Sequence, residues 1–196
     1  MRNRIIYLHG FNSSPASIKG RQLARAVAAS PLSSRPDFYL PPQPHRPAEA
    51  IDAVAELIES QAERALTLVG SSLGGFYATY LAERFGCKAV LINPAIRPHA
   101  DLASYLGPQK NPYTGDEYEL TTRHLDELRA LSVSKITRPE RYFLLVETGD
   151  ELLDAHASIA YYRGAWQYTS SGGDHAFSEF ETQIPAILRF ATNAAT

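Results

Sequence analysis

Apolar residues along this chain fall in short runs separated by turn residues. "IIYL" (5–8), "FYL" (38–40), "LTLVG" (66–70), "AVLIN" (89–93), "YFLLVE" (142–147) and "WQYT" (166–169) have the length and the aromatic or β-branched content of strands. Several are apolar at consecutive positions instead of alternating. Such strands bury both faces, which suits a parallel sheet covered by helices on each side. Between the runs, apolar residues recur at spacings of three and four and predict helices over 17–29, 48–65, 75–86, 154–162 and 182–192. Gly86 is the expected stop of the third, and Pro185 is expected in the first turn of the last. The alternation predicts an α/β fold: a mostly parallel sheet of about six strands with helices on both faces, residues 1–196 forming one domain.

Two stretches break the rhythm. "PPQPHRP" (41–47) carries four prolines and reads as an extended loop. Residues 94–140 form an excursion much longer than one crossover helix needs, with a helix candidate, "RHLDELRAL" (123–131), near its end. It is read as a lid-like insertion over the carboxyl ends of the strands, where open α/β sheets bind ligands. The alternative is a structural brace.

Composition narrows the class. Of 196 residues 44% are hydrophobic and 20% charged, and the net charge is −2, so nothing in the charge balance calls for a nucleic acid or an anionic membrane as partner. One cysteine, Cys87, excludes an internal disulfide framework. The apolar run at the N-terminus, Ile5 to Leu8, is too short for a signal peptide, and no apolar run reaches membrane-spanning length. A soluble, cytoplasmic protein is expected. The histidines form no HExxH pair, so no metal site and no cofactor are expected.

The chemistry centres on "LVGSSLGGFYA" (68–78). Gly70-Ser71-Ser72-Leu73-Gly74 fits G-x-S-x-G with Ser72 central, whereas Ser71 would need glycines where Val69 and Leu73 stand. A strand running into this motif and a helix leaving it is the context of a nucleophile elbow, a sharp turn that glycines two residues away make room for. The alternative is a small-residue turn that packs a helix on the sheet. An acyl-transfer nucleophile needs oxyanion donors. The Leu73 amide is one candidate, and the Phe11 amide, after "YLHG" (7–10), is the other. His9 is read as structural.

His175 lies in "SGGDHAFSEF" (171–180), a glycine-rich loop after the last strand, and is the expected general base. Asp174, adjacent to it, is badly placed to orient its ring. "ETGDELLDA" offers Glu147, Asp150, Glu151 and Asp154 as the acid. Asp150, just past a strand and a glycine, is preferred; Asp154 reads as a helix cap and stands second. The order Ser72, Asp150, His175 is that of α/β-hydrolases. In the excursion, Leu102, Tyr105 and Leu106 are candidate substrate-binding residues, as apolar side chains that could wall an acyl pocket.

The segments "YLHGFNSSPASIKG", "LVGSSLGGFYATYLAERFGCKAVLINPAIRP", "ETGDELLD" and "GGDHAFSEFE" together resemble the YqiA-like bacterial esterases of the α/β-hydrolase superfamily. The resemblance implies a compact α/β-hydrolase fold and hydrolysis of short acyl esters, with acyl-CoA thioesters as an alternative. It places the family's serine, aspartate and histidine on Ser72, Asp150 and His175. A non-catalytic binding module on the same fold is the competing class, and it would normally have lost part of this set.

Overall fold

The computed structural model describes residues 3–61 and 65–193. The strands are β1 (Arg4–Leu8), β2 (Asp37–Tyr39), β3 (Leu66–Ser71), β4 (Lys88–Ile92), β5 (Gly107–Lys110), β6 (Glu117–Leu120), β7 (Tyr142–Glu147) and β8 (Trp166–Ser170). The helices are α1 (Ile18–Ala29), α2 (Pro47–Glu59), α3 (Leu73–Phe85), α4 (Pro98–Asp101), α5 (Thr122–Ala130), α6 (Ala155–Tyr161) and α7 (Phe180–Thr192). Six strands form one sheet in the order β2-β1-β3-β4-β7-β8, and every neighbouring pair is parallel.

Alternate residues of each strand supply two separate cores. Ile6, Leu8, Leu68, Leu91 and Leu144 pack beneath α2, α3 and α6. Ile5, Tyr7, Val69, Val90 and Leu145 face α1 and α7 on the other side. Both faces of the central strands are buried, which is why those strands read as continuous apolar runs. Each fully buried Leu or Ile contributes about 1.5–3 kcal/mol relative to exposure.

Some boundaries differ from the sequence reading. The helix expected over 48–65 ends at Glu59, and residues 62–64 of that expectation lie outside the described residues. The last helix starts at Phe180, which is buried and anchors its first turn, so Pro185 falls inside the helix and not in the first turn. The third helix starts at Leu73, immediately after Ser72.

The excursion holds α4, a 3₁₀ turn (Leu102–Tyr105), the antiparallel hairpin β5–β6, and α5. The sequence reading placed no strand there. "GPQK" and "EYEL" are too polar to signal one, and the pairing is organised by the turn between them. Asn111 Oδ1 accepts the amides of Tyr113 and Thr114, and the Asn111 amide donates to Asp116 across the turn. Such side-chain capping of a turn is the local chemistry Asn favours.

The passage from β3 into α3 is the tightest point of the fold. A Cβ added at Gly74 would collide with the backbone carbonyl of Leu8, and one at Gly70 with that of Gly74. Backbone on both sides leaves no flexible side chain to yield. Gly74→Ala is therefore expected to destabilise the protein by about 1–3 kcal/mol or more, lowering Tm by about 2–12 °C. Thermal unfolding followed by circular dichroism checks this, and a Tm equal to that of the wild type would contradict the packing described.

Candidate active site

Ser72 occupies the strand-to-helix turn with φ 56° and ψ −121°, in the left-handed half of backbone space. For a residue with a Cβ this costs about 1–3 kcal/mol and persists only where surrounding bonds over-determine it. Here the Ser72 amide donates to Ile92 O at 3.0 Å, and its carbonyl accepts from Gly75, Phe76 and Ala95. The turn projects the Ser72 side chain out of the carboxyl end of the sheet. Ser71, one residue earlier, is instead buried beside Tyr7.

His175 follows β8, and its Nε2 lies 3.0 Å from Ser72 Oγ. The other ring nitrogen, Nδ1, lies 2.8 Å and 3.0 Å from the two carboxylate oxygens of Asp150, which follows β7. Among the described residues, His175 is the histidine whose ring reaches Ser72. Asp150 Oδ1 also accepts the amides of Leu152 and Leu153, each at 2.9 Å. Burial alone would raise the Asp150 carboxyl. The hydrogen bonds from His175, Leu153 and Leu152 outweigh it and hold the group below the usual carboxylate range. Asp154 is spent elsewhere: its side chain caps α6 through the amides of His156 and Ala157.

Two buried residues tie the His175 loop down. Glu147, at the end of β7 and fully buried, accepts the amides of Asp174, Ser178 and Glu179 and the Ser178 hydroxyl at 2.8–3.1 Å. Asn93 follows β4 with φ 40°; its side-chain amide donates to the carbonyls of Asp174 and His175, and its Oδ1 accepts the Glu147 amide. Glu151 adds a bond from the His175 amide at 2.9 Å. Sequence reasoning weighed Glu147 and Glu151 only as possible acids and missed Asn93. Their partners lie 24 to 82 residues away in the chain, and no local pattern announces them.

The loop after β1 passes so close over Ser72 that a Cβ added at Gly10 would lie 3.3 Å from Ser72 Cβ. It brings Phe11 beside the serine. Leu73 opens α3, so its amide is one of the first four N–H groups with no intrahelical acceptor. His9 is buried, its Nδ1 3.2 Å from Gly10 O, and burial lowers its pKa.

Two cavities meet at Phe11, Ser72 and His175. One, of about 250 Å³, is walled mostly by apolar side chains, among them Leu73, Pro98, Leu102, Tyr105 and Leu153. The other, of about 490 Å³, is bordered by polar groups including Ser13, Lys19, Gln22 and Glu181. Leu102 and Tyr105 thus reach the space beside Ser72. Leu106 does not line it: the 3₁₀ turn ends at Tyr105, and Leu106 is exposed where the chain enters β5. Among the described residues no helix is long and apolar enough to cross a membrane.

The chain belongs to the uncharacterised protein family UPF0227, whose pattern it matches over residues 4–192. A UPF0227 protein of Shewanella sp. (strain ANA-3) is 27% identical over 199 residues, covering 95% of this chain and 98% of that one. Among solved structures, the mouse alpha/beta hydrolase domain-containing protein 10 superposes with a TM-score of 0.72 at 17% identity, covering 95% of this chain and 90% of the other. A monoacylglycerol lipase of Paleococcus ferrophilus gives 0.71 at 16%, covering 96% and 93%. These likenesses show an α/β-hydrolase fold.

Burial pushes the Glu147 carboxyl up, but its amide and hydroxyl donors outweigh this and leave it below the usual carboxylate value. A depressed folded-state pKa gives stability that is present above the unfolded value of about 4.3 and is lost as pH falls through the folded value. Glu147→Gln, which cannot accept all four donors, is expected to lower Tm at pH 7 and to flatten the loss of Tm between about pH 5 and pH 3. Melting curves across that range test it; parallel acid limbs in both proteins would remove Glu147 as the source.

Proposed function

We propose that this UPF0227 protein is a serine esterase that hydrolyses carboxylic esters through an acyl-enzyme, with Ser72 as nucleophile, His175 as general base and Asp150 as the group that orients it. The observation that carries this reading is the pair of bonds on opposite sides of one imidazole, Nε2 to Ser72 Oγ and Nδ1 to the Asp150 carboxylate. That is the geometry a base needs to take a hydroxyl proton while its other nitrogen is held in one tautomer.

In the proposed reaction Ser72 Oγ attacks the acyl carbonyl carbon as its proton passes to His175 Nε2. The carbonyl oxygen becomes an oxyanion, held by the Phe11 and Leu73 amides. Asp150 stabilises the imidazolium that forms, and its depressed pKa keeps it anionic for this task. The tetrahedral intermediate collapses as His175 returns the proton to the leaving alcohol, and the acyl group stays on Ser72. Water, deprotonated by the same imidazole, repeats the sequence; the acid leaves and Ser72 regains its proton.

The two cavities divide the substrate. The smaller cavity beside Leu102 and Tyr105, walled mostly by apolar side chains, suits the acyl chain, and the larger one, with a mixed lining that includes Lys19 and Glu181, suits the leaving group. Residues 94–140 then act as a lid on one domain spanning 1–196.

Ser72→Ala is expected to lower turnover on p-nitrophenyl butyrate by about a millionfold, while Ser71→Ala keeps most of it. Asp150→Asn is expected to cost about ten-thousandfold. Asp154→Asn should cost little turnover, since that side chain caps a helix. Steady-state kinetics and fluorophosphonate labelling of the four variants decide; labelling that survives in Ser72→Ala would refute the nucleophile.

The acyl cavity carries its own expectation. Leu102→Ala and Tyr105→Ala should move the preferred acyl length upward, each further buried methylene adding up to about 0.8 kcal/mol. Leu106→Ala, outside the cavity, should leave the profile in place. Specificity constants on esters of graded length, each also as the thioester, measure both points. An identical profile in all three variants would detach the excursion from the acyl site.

A further inference from the structure

The excursion touches the site at a second place, away from the acyl cavity. Three consecutive residues of the loop that carries the Phe11 amide are each held by it. The Phe11 ring meets Tyr105 edge-on, with centroids 6.2 Å apart at 67°. The Asn12 side chain is clasped at both ends: Oδ1 accepts the Tyr118 hydroxyl at 2.7 Å, and Nδ2 donates to Gln109 Oε1 at 3.1 Å. The Ser13 carbonyl accepts Asn111 Nδ2 at 2.9 Å. Gln109 and Asn111 flank the end of β5, and Tyr118 lies opposite on β6, directly across from Gln109.

Asn12 itself sits at φ 49°. A left-handed backbone is disfavoured for residues other than glycine, and least so for Asn, whose short polar side chain can hydrogen-bond. The clasp offsets that cost with two hydrogen bonds.

The hairpin side of the clasp is rigid in turn. The Tyr118 ring stacks on His45, with centroids 4.4 Å apart at 17°. His45 Nδ1 is hydrogen-bonded to His124 Nε2 at 3.0 Å, and His124 is buried in the capping box that starts α5. The Tyr118 hydroxyl is pushed up to about 12 by burial and remains a donor.

We infer that the β5–β6 hairpin is a positioning device for the oxyanion-binding loop, with Tyr118 and Asn12 as positioning residues that keep the Phe11 amide aimed at the carbonyl oxygen. The inference rests on the esterase reading above, and it gives the hairpin a part in the chemistry beside the acyl-length role of Leu102 and Tyr105. Oxyanion stabilisation depends on donors fixed before charge develops. A loop free to drift by an ångström loses much of that benefit.

The test uses Tyr118→Phe, which keeps the ring on His45 and removes only the hydroxyl, and Asn12→Asp, which keeps the acceptor for Tyr118 and removes the donor to Gln109. Three quantities are read with the full chain: kcat and KM on p-nitrophenyl butyrate, the inhibition constant of a trifluoromethyl ketone bearing the same acyl chain, and Tm. The ketone adds Ser72 to form a charged tetrahedral adduct, so it reports the oxyanion site directly. Loss of the clasp is expected to lower kcat about tenfold and to weaken the ketone by a similar factor. KM should stay within about twofold and Tm within a few degrees. A variant with unchanged kcat and unchanged ketone affinity overturns the inference, as does a change confined to KM or to Tm. A wild-type protein without Ser72-dependent turnover overturns the esterase reading and this inference together; Ser72-dependent turnover that ignores both substitutions overturns this inference alone.

Discussion

The left-handed backbone at Ser72 is the constraint around which the rest is arranged. A strand in the middle of a parallel sheet must become a helix within one residue, and that residue bears a side chain. The geometry holds because the neighbouring backbone closes on it from two sides. Ile92 accepts the amide, and the amides of Gly75, Phe76 and Ala95 converge on the carbonyl. Glycines at 70 and 74 allow β1, β3 and α3 to approach to backbone contact. The serine hydroxyl therefore stands at the centre of the sheet's carboxyl edge, with β1 and its loop on one side and β4, β7 and β8 on the other.

The partners of Ser72 arrive by a different device. Asp150 and His175 sit on loops, and loops have few obligatory contacts of their own. Two buried polar side chains take the place of a regular ladder there. Glu147 acts as acceptor for the backbone of 174–179, and Asn93 acts as donor to the same loop and acceptor for β7. A buried carboxylate is costly unless its hydrogen-bonding capacity is filled. Glu147 is filled by four donors, all from the loop it orders. Asn93 links that loop to β4, which also holds Ser72 through Ile92. Ser72 and His175 are thus referred to the same strand.

Much of this was legible in the sequence for physical reasons. Continuous apolar runs such as "AVLIN" and "YFLLVE" are legible because burial on both faces removes the need for polar alternation. Ser72 was distinguishable from Ser71 because only one register places glycines where backbone must touch backbone. Asp154 was separable from Asp150 because a cap sits immediately before a helix, and α6 begins at Ala155. The hairpin was not legible. Its strands are short and polar, and their stability comes from the Asn111 turn and from contacts with residues about a hundred positions earlier. α3 starts at Leu73, two residues before the expected Gly75, because the helix begins directly at the Ser72 turn, where Gly74 and Gly75 let it close on Leu8 and Pro94. Pro185 was misplaced because Phe180, buried by tertiary contacts, extends the helix ahead of it.

The His175 loop follows the strand at the edge of the sheet. Among the described residues β8 pairs with β7 alone, and its first residue, Trp166, is largely exposed. Strands at an edge have hydrogen bonds on one side and open in partial unfolding events well below the free energy of the whole molecule. The serine directly follows β3, which is flanked by strands on both sides. The backbone that leads into Ser72 therefore has a strand on either side, whereas the strand that leads into His175 has one neighbour. The buried Glu147 and Asn93 side chains, anchored at the ends of inner strands, supply the hold on the His175 loop that the edge strand does not.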